Sequence, residues 1–550
     1  MRKIDLFIIL FLIILSVFTL KDLFKPNFYT SHDGIHQVVR LYYFDQAIRD
    51  GQIPPRWAGG LLNGFGYPLF AFSYHLPWFI AEPIYLSGFT IFESIKLTFL
   101  IGFILSGITM YFFQKELFGR LGAFVGTIIY LYAPYRFSNI FVRAAIGDAT
   151  SFIFPPLLFL SIFRLKVAGK IIWKWIIIGA INLAGILLSH AFVFLFFFLS
   201  VGLYIFYSLL FIRKKIIFMI SSTLIVILAF GLSSYYLLPS LTERNLTKFS
   251  EIMGSAFIGN TFLSFKDLLY SSWGYGMMRA SEGGMSFQLG IAQWLVVGIA
   301  ILLIIFLVLQ KKSKDSTKSI LSEAIFYLLL FLGSLIIMFP ISLPFWKVLQ
   351  NITVVDFTWR VLPVSVFTVS VLAGFVISKI KFPYLVALLI IILTFYSNRN
   401  HLRINQILDW QLPFYLQLEK TTNSYDEYTP KWVRNEMVEK PRQKVEFLDG
   451  SAEINIIKNK SNYLDFELNT KERGKVRINT VYYPGWQIQV NNRPVIIDYN
   501  QNGLMEFAVD KGKSKIIVKL TETSLRLVSD ILTLVTLGFI VFIIIKTKKV

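Results

Sequence analysis

The sequence IDLFIILFLIILSVFTLKDLF (residues 4–24) is an apolar run near the start of the chain, and it sets the class of fold. A helix that crosses the hydrocarbon of a bilayer needs about 20 apolar residues. Eleven more stretches of this kind follow, near residues 92–113, 119–138, 149–165, 171–189, 191–212, 216–238, 289–310, 319–340, 361–379, 382–398 and 524–545. The pattern predicts a polytopic α-helical membrane protein with about 12 spans.

The composition excludes several other classes of protein. Of 550 residues, 55% are hydrophobic and 16% are charged, whereas a soluble protein carries roughly a quarter of charged residues. The absence of cysteine excludes a disulfide-built fold, a thiol nucleophile and Cys-ligated zinc. The net charge of +21 is interpreted as the basic bias of cytoplasmic loops, and no nucleic-acid partner is predicted.

The distribution of basic residues predicts the topology. Arg2 and Lys3 precede the first stretch and no small-residue cleavage site follows it, which predicts a retained helix that enters from the cytoplasm. Every loop then predicted inside is basic, and these loops carry Lys115 and Arg120; Arg164, Lys166 and Lys170; Arg213, Lys214 and Lys215; Lys311, Lys312, Lys314 and Lys318; Lys379 and Lys381; and Lys546, Lys548 and Lys549. We expect a multi-pass protein of the plasma membrane with both termini cytoplasmic.

The predicted topology divides the chain into three parts. Residues 1–398 form a transmembrane module with a long first outer loop (25–90), in which the proline-containing stretch 68–90 is predicted to lie along the outer interface rather than to span. Residues 399–522 form an extracytoplasmic domain, with helix and loop up to about 440. Alternating apolar and polar residues at 452–456, 463–468, 475–483, 486–490, 505–509 and 515–520 then predict about six to eight antiparallel strands and a β-sandwich. Residues 523–550 form the final span and a basic tail.

The densest polar group is SHDGIHQVVRLYYFDQAIRDG (residues 31–51), just after the first span. His36 and Arg40 are one helical turn apart, so a polar stripe can face inward. Two alternatives stay open: a solvated amphipathic helix, and a metal site in which His32, Asp33 and His36 act as ligands on helical spacing.

Two more patches follow predicted spans on the outer side. The sequence RFSNIFVRAAIGDAT (136–150) supplies Arg136, Arg143 and Asp148, and FTWR (357–360) supplies Arg360 after Asp356. Arginines beside a lone carboxylate suit a phosphate-bearing ligand, because guanidinium binds phosphate through two hydrogen bonds. An interfacial salt bridge is the alternative. His190 falls in a short outer turn, and loop 239–288 adds a group around WGYGMM (273–278), namely Arg244, Lys248, Arg279 and Glu282.

The chain resembles a known group of membrane proteins along most of its length. Four stretches carry the likeness: HDGIHQVVR with GQIPPRW and NGFGYPLF (within 32–70), YRFSNIFVRAAIGD (135–148), FTWR (357–360) and YYPGWQIQV (482–490). Their order resembles the bacterial YfhO-like proteins, also labelled 6-pyruvoyl-tetrahydropterin synthase-related, within the GT-C superfamily of membrane glycosyltransferases. No zinc triad of a pterin enzyme is visible in the sequence.

The resemblance implies a fold, a reaction and a set of residues. GT-C enzymes transfer a sugar from a polyprenyl-phosphate carrier to a glycan or lipid acceptor of the cell envelope at the outer face of the membrane. The early acidic residue, here Asp33, would be the base that accepts the acceptor's proton, with inversion at the sugar carbon. The residues expected to bind substrate are His32, His36, Arg40, Arg56, Trp57, Arg143, Asp148 and Arg360. No cofactor is certain, and a divalent metal ion, with Asp148 as one ligand, stays open.

Two other functions are compatible with the sequence. A lipid-linked saccharide transporter or flippase would line a path across the membrane with polar groups, whereas the predicted spans are mostly apolar at mid-depth. A non-catalytic envelope assembly protein would bind glycan through the β domain and would not depend on the Asp33 carboxylate.

Overall fold

The computed structural model describes residues 2–253, 258–278, 284–310, 315–350, 355–437 and 439–548. The predicted loop residues Arg279 and Glu282, and the basic residues Lys311, Lys312, Lys314 and Lys549, lie outside these ranges. The α-helices are α1 (Lys3–Thr19), α2 (Gly34–Arg49), α3 (Leu69–Phe72), α4 (Leu76–Leu86), α5 (Ile91–Leu131), α6 (Pro134–Phe137), α7 (Ile146–Ser151), α8 (Pro155–Ala168), α9 (Trp173–Ser189), α10 (Ala191–Leu209), α11 (Lys215–Thr242), α12 (Phe249–Met253), α13 (Phe265–Leu269), α14 (Ile291–Leu309), α15 (Asp315–Met338), α16 (Leu343–Gln350), α17 (Leu362–Lys379), α18 (Pro383–Asn398), α19 (Leu412–Leu418) and α20 (Ser524–Lys548).

The chain is a multi-pass membrane protein by the length and composition of its helices. Within the described ranges, eight helices are long and apolar enough to cross a membrane, and α9 and α18 are shorter apolar helices. Helix covers most of each of the twelve predicted stretches, while the number of spans stays a prediction. Large apolar side chains are exposed along outer helices, for example Phe7, Leu309 and Val528, as expected of surfaces that face lipid.

Helix α5 is a hairpin of two antiparallel helices rather than one rod. At Gly119 the backbone leaves the helical region, with φ 75° and ψ −177°, and a residue without a side chain adopts this conformation at little cost. The halves then pack together, since a Cβ built at Gly107 lies 3.0 Å from the Leu131 side chain and one built at Gly126 overlaps Gln114. The predicted spans 92–113 and 119–138 correspond to these two halves.

The stretch 68–90 contains only α3 and α4. Helix α4 has eleven residues, with Pro83 inside it, and is therefore about 17 Å long. The hydrocarbon of a bilayer is about 30 Å thick. Helix α4 is therefore too short to cross the hydrocarbon by itself, and the placement of 68–90 along the outer interface stays a prediction.

The C-terminal domain is rich in β-structure. Its strands are β3 (Val445–Phe447), β4 (Ala452–Lys460), β5 (Tyr463–Thr470), β6 (Gly474–Val481), β7 (Trp486–Val490), β8 (Arg493–Val495), β9 (Asp498–Tyr499), β10 (Leu504–Val509) and β11 (Gly512–Leu520). They form two antiparallel sheets with strand orders β3-β6-β10-β9 and β4-β5-β11-β7-β8. Inward side chains such as Phe466 and Met505 belong to one hydrophobic cluster, and the sandwich stays a prediction.

The first outer loop and the C-terminal part of the chain are joined by hydrogen bonds. Strand β1 (Phe28–Tyr29) pairs antiparallel with β2 (Ile407–Leu408). The amide of Val481 in β6 donates a 2.9 Å hydrogen bond to the carbonyl of Phe65. These bonds hold the loop that carries Asp33 between the helices and the β domain.

Candidate active site at the β-domain end of the helices

The backbone of the first outer loop fixes the position of Asp33. The amide of His32 donates to the carbonyl of Val142 (3.1 Å), and the amide of Asp33 donates to the carbonyl of Arg143 (2.8 Å). Two of the predicted polar patches are therefore adjacent. The Asp33 carboxylate is half-buried, and no hydrogen bond or ion pair to it occurs within the described part of the chain.

The segment that follows α6 has an irregular backbone where it meets Asp33. Residues Ser138–Val142 form a π-helical turn, and Ala144 has a φ of 52°, in the left-handed region that a residue with a Cβ rarely adopts. π-Helical turns and strained residues occur frequently at functional sites. Here the irregular segment carries the carbonyls that hold His32 and Asp33.

Five side chains meet beside this segment and are called the Asp148 cluster: Arg143, Asp148, His190, Asp356 and Arg360. Asp148 lies in the first turn of α7, and its Oδ2 accepts a 2.5 Å hydrogen bond from Arg143 Nη1. Both side chains are only 2% exposed. Asp148 was expected in an outer turn, but the helical segment Ile146–Ala168 begins earlier than the predicted span and includes it.

Arg360 joins the cluster from the opposite side. Its Nε and Nη2 donate to the two carboxylate oxygens of Asp356 at 2.6 and 2.7 Å. Its Nη1 lies 3.7 Å from Asp148 Oδ2 and 3.5 Å from His190 Nε2, while His190 Nδ1 is 3.5 Å from Asp148 Oδ1. Asp148 therefore lies between two arginines and a histidine, which come from three separate parts of the chain.

The environment alters the acid–base behaviour of groups around the cluster. Burial lowers the pKa of His190 to about 4, although the Asp148 charge opposes the shift, so the imidazole is neutral at pH 7. Burial also lowers the pKa of His32, against the charge of Asp33 beside it. Burial acts to raise the pKa of the Asp356 carboxyl, but the Arg360 guanidinium outweighs it and holds that pKa below its usual value. The cluster therefore holds two cations and two anions around a neutral histidine.

Several buried nitrogen atoms in and beside the Asp148 cluster have no hydrogen-bond partner within the described ranges. They are Arg143 Nε, Asn139 Nδ2, His190 Nδ1 and His32 Nδ1. The first two are N–H donors in any protonation state. Buried polar groups are normally hydrogen-bonded, so these donors are available to bind an acceptor such as a phosphate oxygen or a hydroxyl.

The predicted residues of α2 lie near the cluster but have protein partners. His36 Nδ1 is 2.9 Å from Glu419 Oε1, and Arg40 donates to the hydroxyl and the carbonyl of Thr422 at 3.0 and 2.6 Å. Both partners belong to the segment before the β domain. His36 and Arg40 therefore lie one turn apart on the same face of α2, as predicted, and this polar face is directed at residues 419–422.

A metal site built from His32, Asp33 and His36 is wrong as proposed from the spacing. Helix α2 begins at Gly34, so His32 and Asp33 precede it and helical spacing does not apply. His32 Nε2 lies 3.3 Å from the carbonyl of Tyr275, whereas His36 meets Glu419. Among the described residues, no group of three or more His, Asp or Glu side chains could hold a metal ion.

Arg56 and Trp57 do not join the cluster. Arg56 donates to Asp530 (2.8 Å) and to the carbonyl of Tyr235 (2.6 Å), which ties the first loop to α20 and α11. Trp57 is 1% exposed and packs edge-on against Trp486 at 5.7 Å. The contacts of Arg56 and Trp57 therefore join elements of the protein. They do not support the expectation that these two residues bind substrate.

Arg136 also lies apart from Arg143 and Asp148, with which it was predicted to form a phosphate-binding patch. Its guanidinium donates to Ser106 Oγ at 2.8 Å and lies 4.4 Å from the ring centre of Phe152. It is buried among aromatic rings, and it does not reach Asp148.

Three residues of the site were not among those predicted to bind substrate. The sequence marks His190 and Asp356 only as polar residues beside predicted spans, and it carries no signal for Tyr74. The Tyr74 ring lies 5.8 Å from that of His190 and is close to Asp33, Asp148 and Arg40, whose charges act on its hydroxyl. A polar residue in a short turn between two apolar stretches is the signal that identifies His190.

Comparisons with known proteins place little constraint on the chain. No family model matches it. A protein of Lactococcus lactis subsp. cremoris (strain MG1363), described as uncharacterized, is 24% identical over 189 residues, which is 33% of this chain and 30% of that protein. The YfhO-like assignment thus stays a prediction.

Two solved structures are similar over much of the chain. The mycobacterial arabinofuranosyltransferase AftD matches 72% of this chain and 26% of its own, with a TM-score of 0.48 and 12% identity. The Archaeoglobus fulgidus oligosaccharyltransferase, tethered with an acceptor peptide, matches 74% of this chain and 56% of its own, with a TM-score of 0.41 and 13% identity. This chain therefore spans less than two thirds of the length of each of these proteins.

Proposed function

We propose that this protein is a membrane glycosyltransferase that transfers a sugar from a polyprenyl-phosphate donor to a glycan or lipid acceptor of the cell envelope on the outer face of the membrane. The observation that carries the proposal is the free carboxylate of Asp33 beside the buried Asp148 cluster. Other acidic groups of the site, Asp148 and Asp356, are engaged by arginines. A carboxylate that is not hydrogen-bonded to a cation can accept a proton from a hydroxyl group.

These groups account for each bond, proton and electron pair in the proposed reaction. The acceptor oxygen forms a bond to the anomeric carbon, and the bond between that carbon and the phosphate oxygen breaks. The acceptor's proton passes to Asp33, and the electron pair stays on the polyprenyl phosphate. With one base and no covalent intermediate, the configuration at the anomeric carbon inverts.

The leaving phosphate needs positive charge and hydrogen-bond donors. Arg143 supplies positive charge close to Asp33, and Arg360, which is 11% exposed, supplies it from the other side of Asp148. The unpartnered donors Arg143 Nε and Asn139 Nδ2 add hydrogen-bonding capacity. In this proposal Asp148 is a positioning residue, because it holds Arg143 and lies close to Arg360 and His190.

The Asp33→Asn variant tests the role of the carboxylate. The amide keeps the size of the side chain but cannot act as a base at neutral pH, so we expect transfer to fall by about 10²- to 10⁴-fold. A strain that lacks the gene is complemented with each variant, and the sugar composition of its envelope is measured together with the amount of protein in the membrane.

Asp409→Asn is the matched control, because Asp409 is exposed, comes from the segment that pairs with the same loop, and accepts one hydrogen bond that an amide oxygen also accepts. It should restore the envelope composition fully. Restoration by Asp33→Asn at the wild-type level would contradict the enzyme and favour the assembly protein, which does not need a base.

A further inference from the structure

A groove of about 510 Å³ opens between α5, α8 and α9 at the end of the helices that lies away from the Asp148 cluster. Helix α9 connects the two regions: Lys174 near its start lines the groove, and Ser189 at its end precedes His190. Seventeen residues of helix are about 25 Å long, close to the thickness of the hydrocarbon. The mouth of the groove and the Asp148 cluster therefore lie at opposite ends of α9.

The mouth of the groove is positively charged. Lys115, Arg164 and Lys174 line it together with one carboxylate, Glu116, which pairs with Arg164 at 2.5 Å. Lys115 pairs with the buried Asp5 at 2.8 Å, so the uncompensated charge at the mouth is that of Lys174. Lys174 has no ion pair within the described ranges, and its ammonium lies 5.5 Å from the ring centre of Trp175. Arg164 lies at the same distance from that ring, and its buried Nε has no hydrogen-bond partner in the described part of the chain.

The walls become apolar away from this mouth. On α8 the groove is lined by Leu157, Leu160 and Arg164, and on α9 by Lys174, Ile178 and Ile181. Spacings of three and four residues place each set on one face of its helix. On both helices the cation lies at the mouth of the groove and the apolar residues lie farther along the helix, with Ile181 47% exposed.

We propose that this groove binds one anionic phospholipid, with its phosphate at Arg164 and Lys174 and an acyl chain along Leu157, Ile178 and Ile181. Charge complementarity selects an anionic headgroup, since basic pockets between transmembrane helices bind such headgroups. A lipid is favoured over free phosphate because an acyl chain can pack against the exposed apolar walls, whereas a soluble ion makes no favourable contact with them. The site takes no part in sugar transfer and is independent of the proposed reaction.

Native mass spectrometry of the full-length protein tests the site. The probes are phosphatidylglycerol, phosphatidylcholine with the same acyl chains, and glycerol phosphate. We expect one phosphatidylglycerol to bind more tightly than phosphatidylcholine, and glycerol phosphate to bind far more weakly than either. In Arg164→Gln/Lys174→Gln the affinity for phosphatidylglycerol should fall by about ten-fold or more, as expected for the loss of charged hydrogen bonds.

Lys379→Gln/Lys381→Gln is the matched control, because it removes the same charge near the end of α17 outside the groove. It should keep the wild-type affinity. Equal binding of both lipids, equal losses in the two double variants, or binding of glycerol phosphate as tight as that of the lipid would each overturn the proposal. If the Arg164→Gln/Lys174→Gln protein does not elute as a single species, Lys174→Gln alone, at an exposed ammonium, gives the same comparison.

Discussion

Asp33 and Asp148 are carboxylates of one site with opposite surroundings. Asp148 is buried and hydrogen-bonded to Arg143, with Arg360 and His190 close by, whereas Asp33 is half-buried with a free carboxylate in the described part of the chain. A buried, paired carboxylate is a weak base, because protonation would leave its arginines uncompensated. In the proposed reaction Asp33 is therefore the base, and Asp148 is the group that holds Arg143.

Arg360→Lys tests the arginine fork at the residue scale. An ammonium keeps the charge but cannot donate to both oxygens of Asp356 and also face Asp148. We expect the affinity for a polyprenyl phosphate without a sugar to fall by about ten- to hundred-fold, which corresponds to the loss of one charged hydrogen bond of about 1.5–3 kcal/mol. The affinity is measured in detergent solution by native mass spectrometry.

The control for this variant is Arg403→Lys, since Arg403 is an exposed arginine of the segment after α18. Its affinity should stay at the wild-type value. An unchanged affinity in Arg360→Lys would mean that the arginine serves only to hold Asp356, and the proposed donor site would lose its main cation.

Gly147, directly before Asp148, controls how closely α7 approaches its neighbours. A Cβ at this position would lie 2.5 Å from the carbonyl oxygen of Ser189 and 2.9 Å from the ring of Tyr74. Gly147→Ala should therefore move α7 away from α9 and shift Asp148 relative to His190, with a loss of at least ten-fold in transfer, because small misplacements of reacting groups are costly. The sugar composition of the envelope in the complemented strain reports this loss.

Gly202→Ala is the matched control on α10, where a Cβ meets no atom within 4 Å. Alanine favours helix over glycine, so this variant should retain activity and unfold at the same or a higher temperature. If both alanine variants were fully active, the close approach at Gly147 would have no part in positioning Asp148.

The elements follow from local sequence patterns to different degrees. Apolar runs predict the helices because lipid requires long apolar surfaces, and alternation predicts six strands because one face of each strand is buried. The predicted WQIQV (486–490) coincides with β7, and the predicted 463–468 lies inside β5. The short strands β1, β2, β3, β8 and β9 carry too few residues for a period of two to appear.

The site could be predicted only in part for the same reason. The polar patches and the resemblance together indicate Asp33, Arg143, Asp148 and Arg360. The last three do come together, and the Asp33 amide is hydrogen-bonded to the carbonyl of Arg143. Arg40 is 382 residues away from Thr422, and Arg56 is 474 residues away from Asp530. His190 is 42 residues away from Asp148. No local period in the sequence encodes contacts over such separations. The failed metal site has a local cause, because the helix starts two residues later than the spacing of His32 and His36 requires.

At the scale of the whole molecule, the charge distribution predicts that the β domain lies outside the cell and the basic loops inside. The native chain has no cysteine, so single cysteines can be introduced without a background. Ser451→Cys on the β domain and Lys381→Cys between α17 and α18 are both exposed positions. In intact cells an impermeant thiol reagent should label position 451 and reach position 381 only after permeabilisation.

The opposite labelling pattern would reverse the predicted orientation, and it would put the Asp148 cluster on the cytoplasmic side. Labelling of both positions in intact cells would instead indicate leaky cells, which a cytoplasmic protein with a reactive cysteine reveals as the internal standard.

The pairing of the first outer loop with the end of the helical module has a consequence for biosynthesis. Arg40 and its partner Thr422 are separated by 382 residues, and a ribosome that adds about 5–20 residues per second needs roughly 20 to 80 seconds to make that length. During this interval the loop with Asp33 has already emerged, but β2 and the β domain that hold it do not yet exist. A nascent chain therefore lacks these contacts until residues 407–520 have been made, and a prematurely terminated chain would carry Asp33 without the partners that hold its loop.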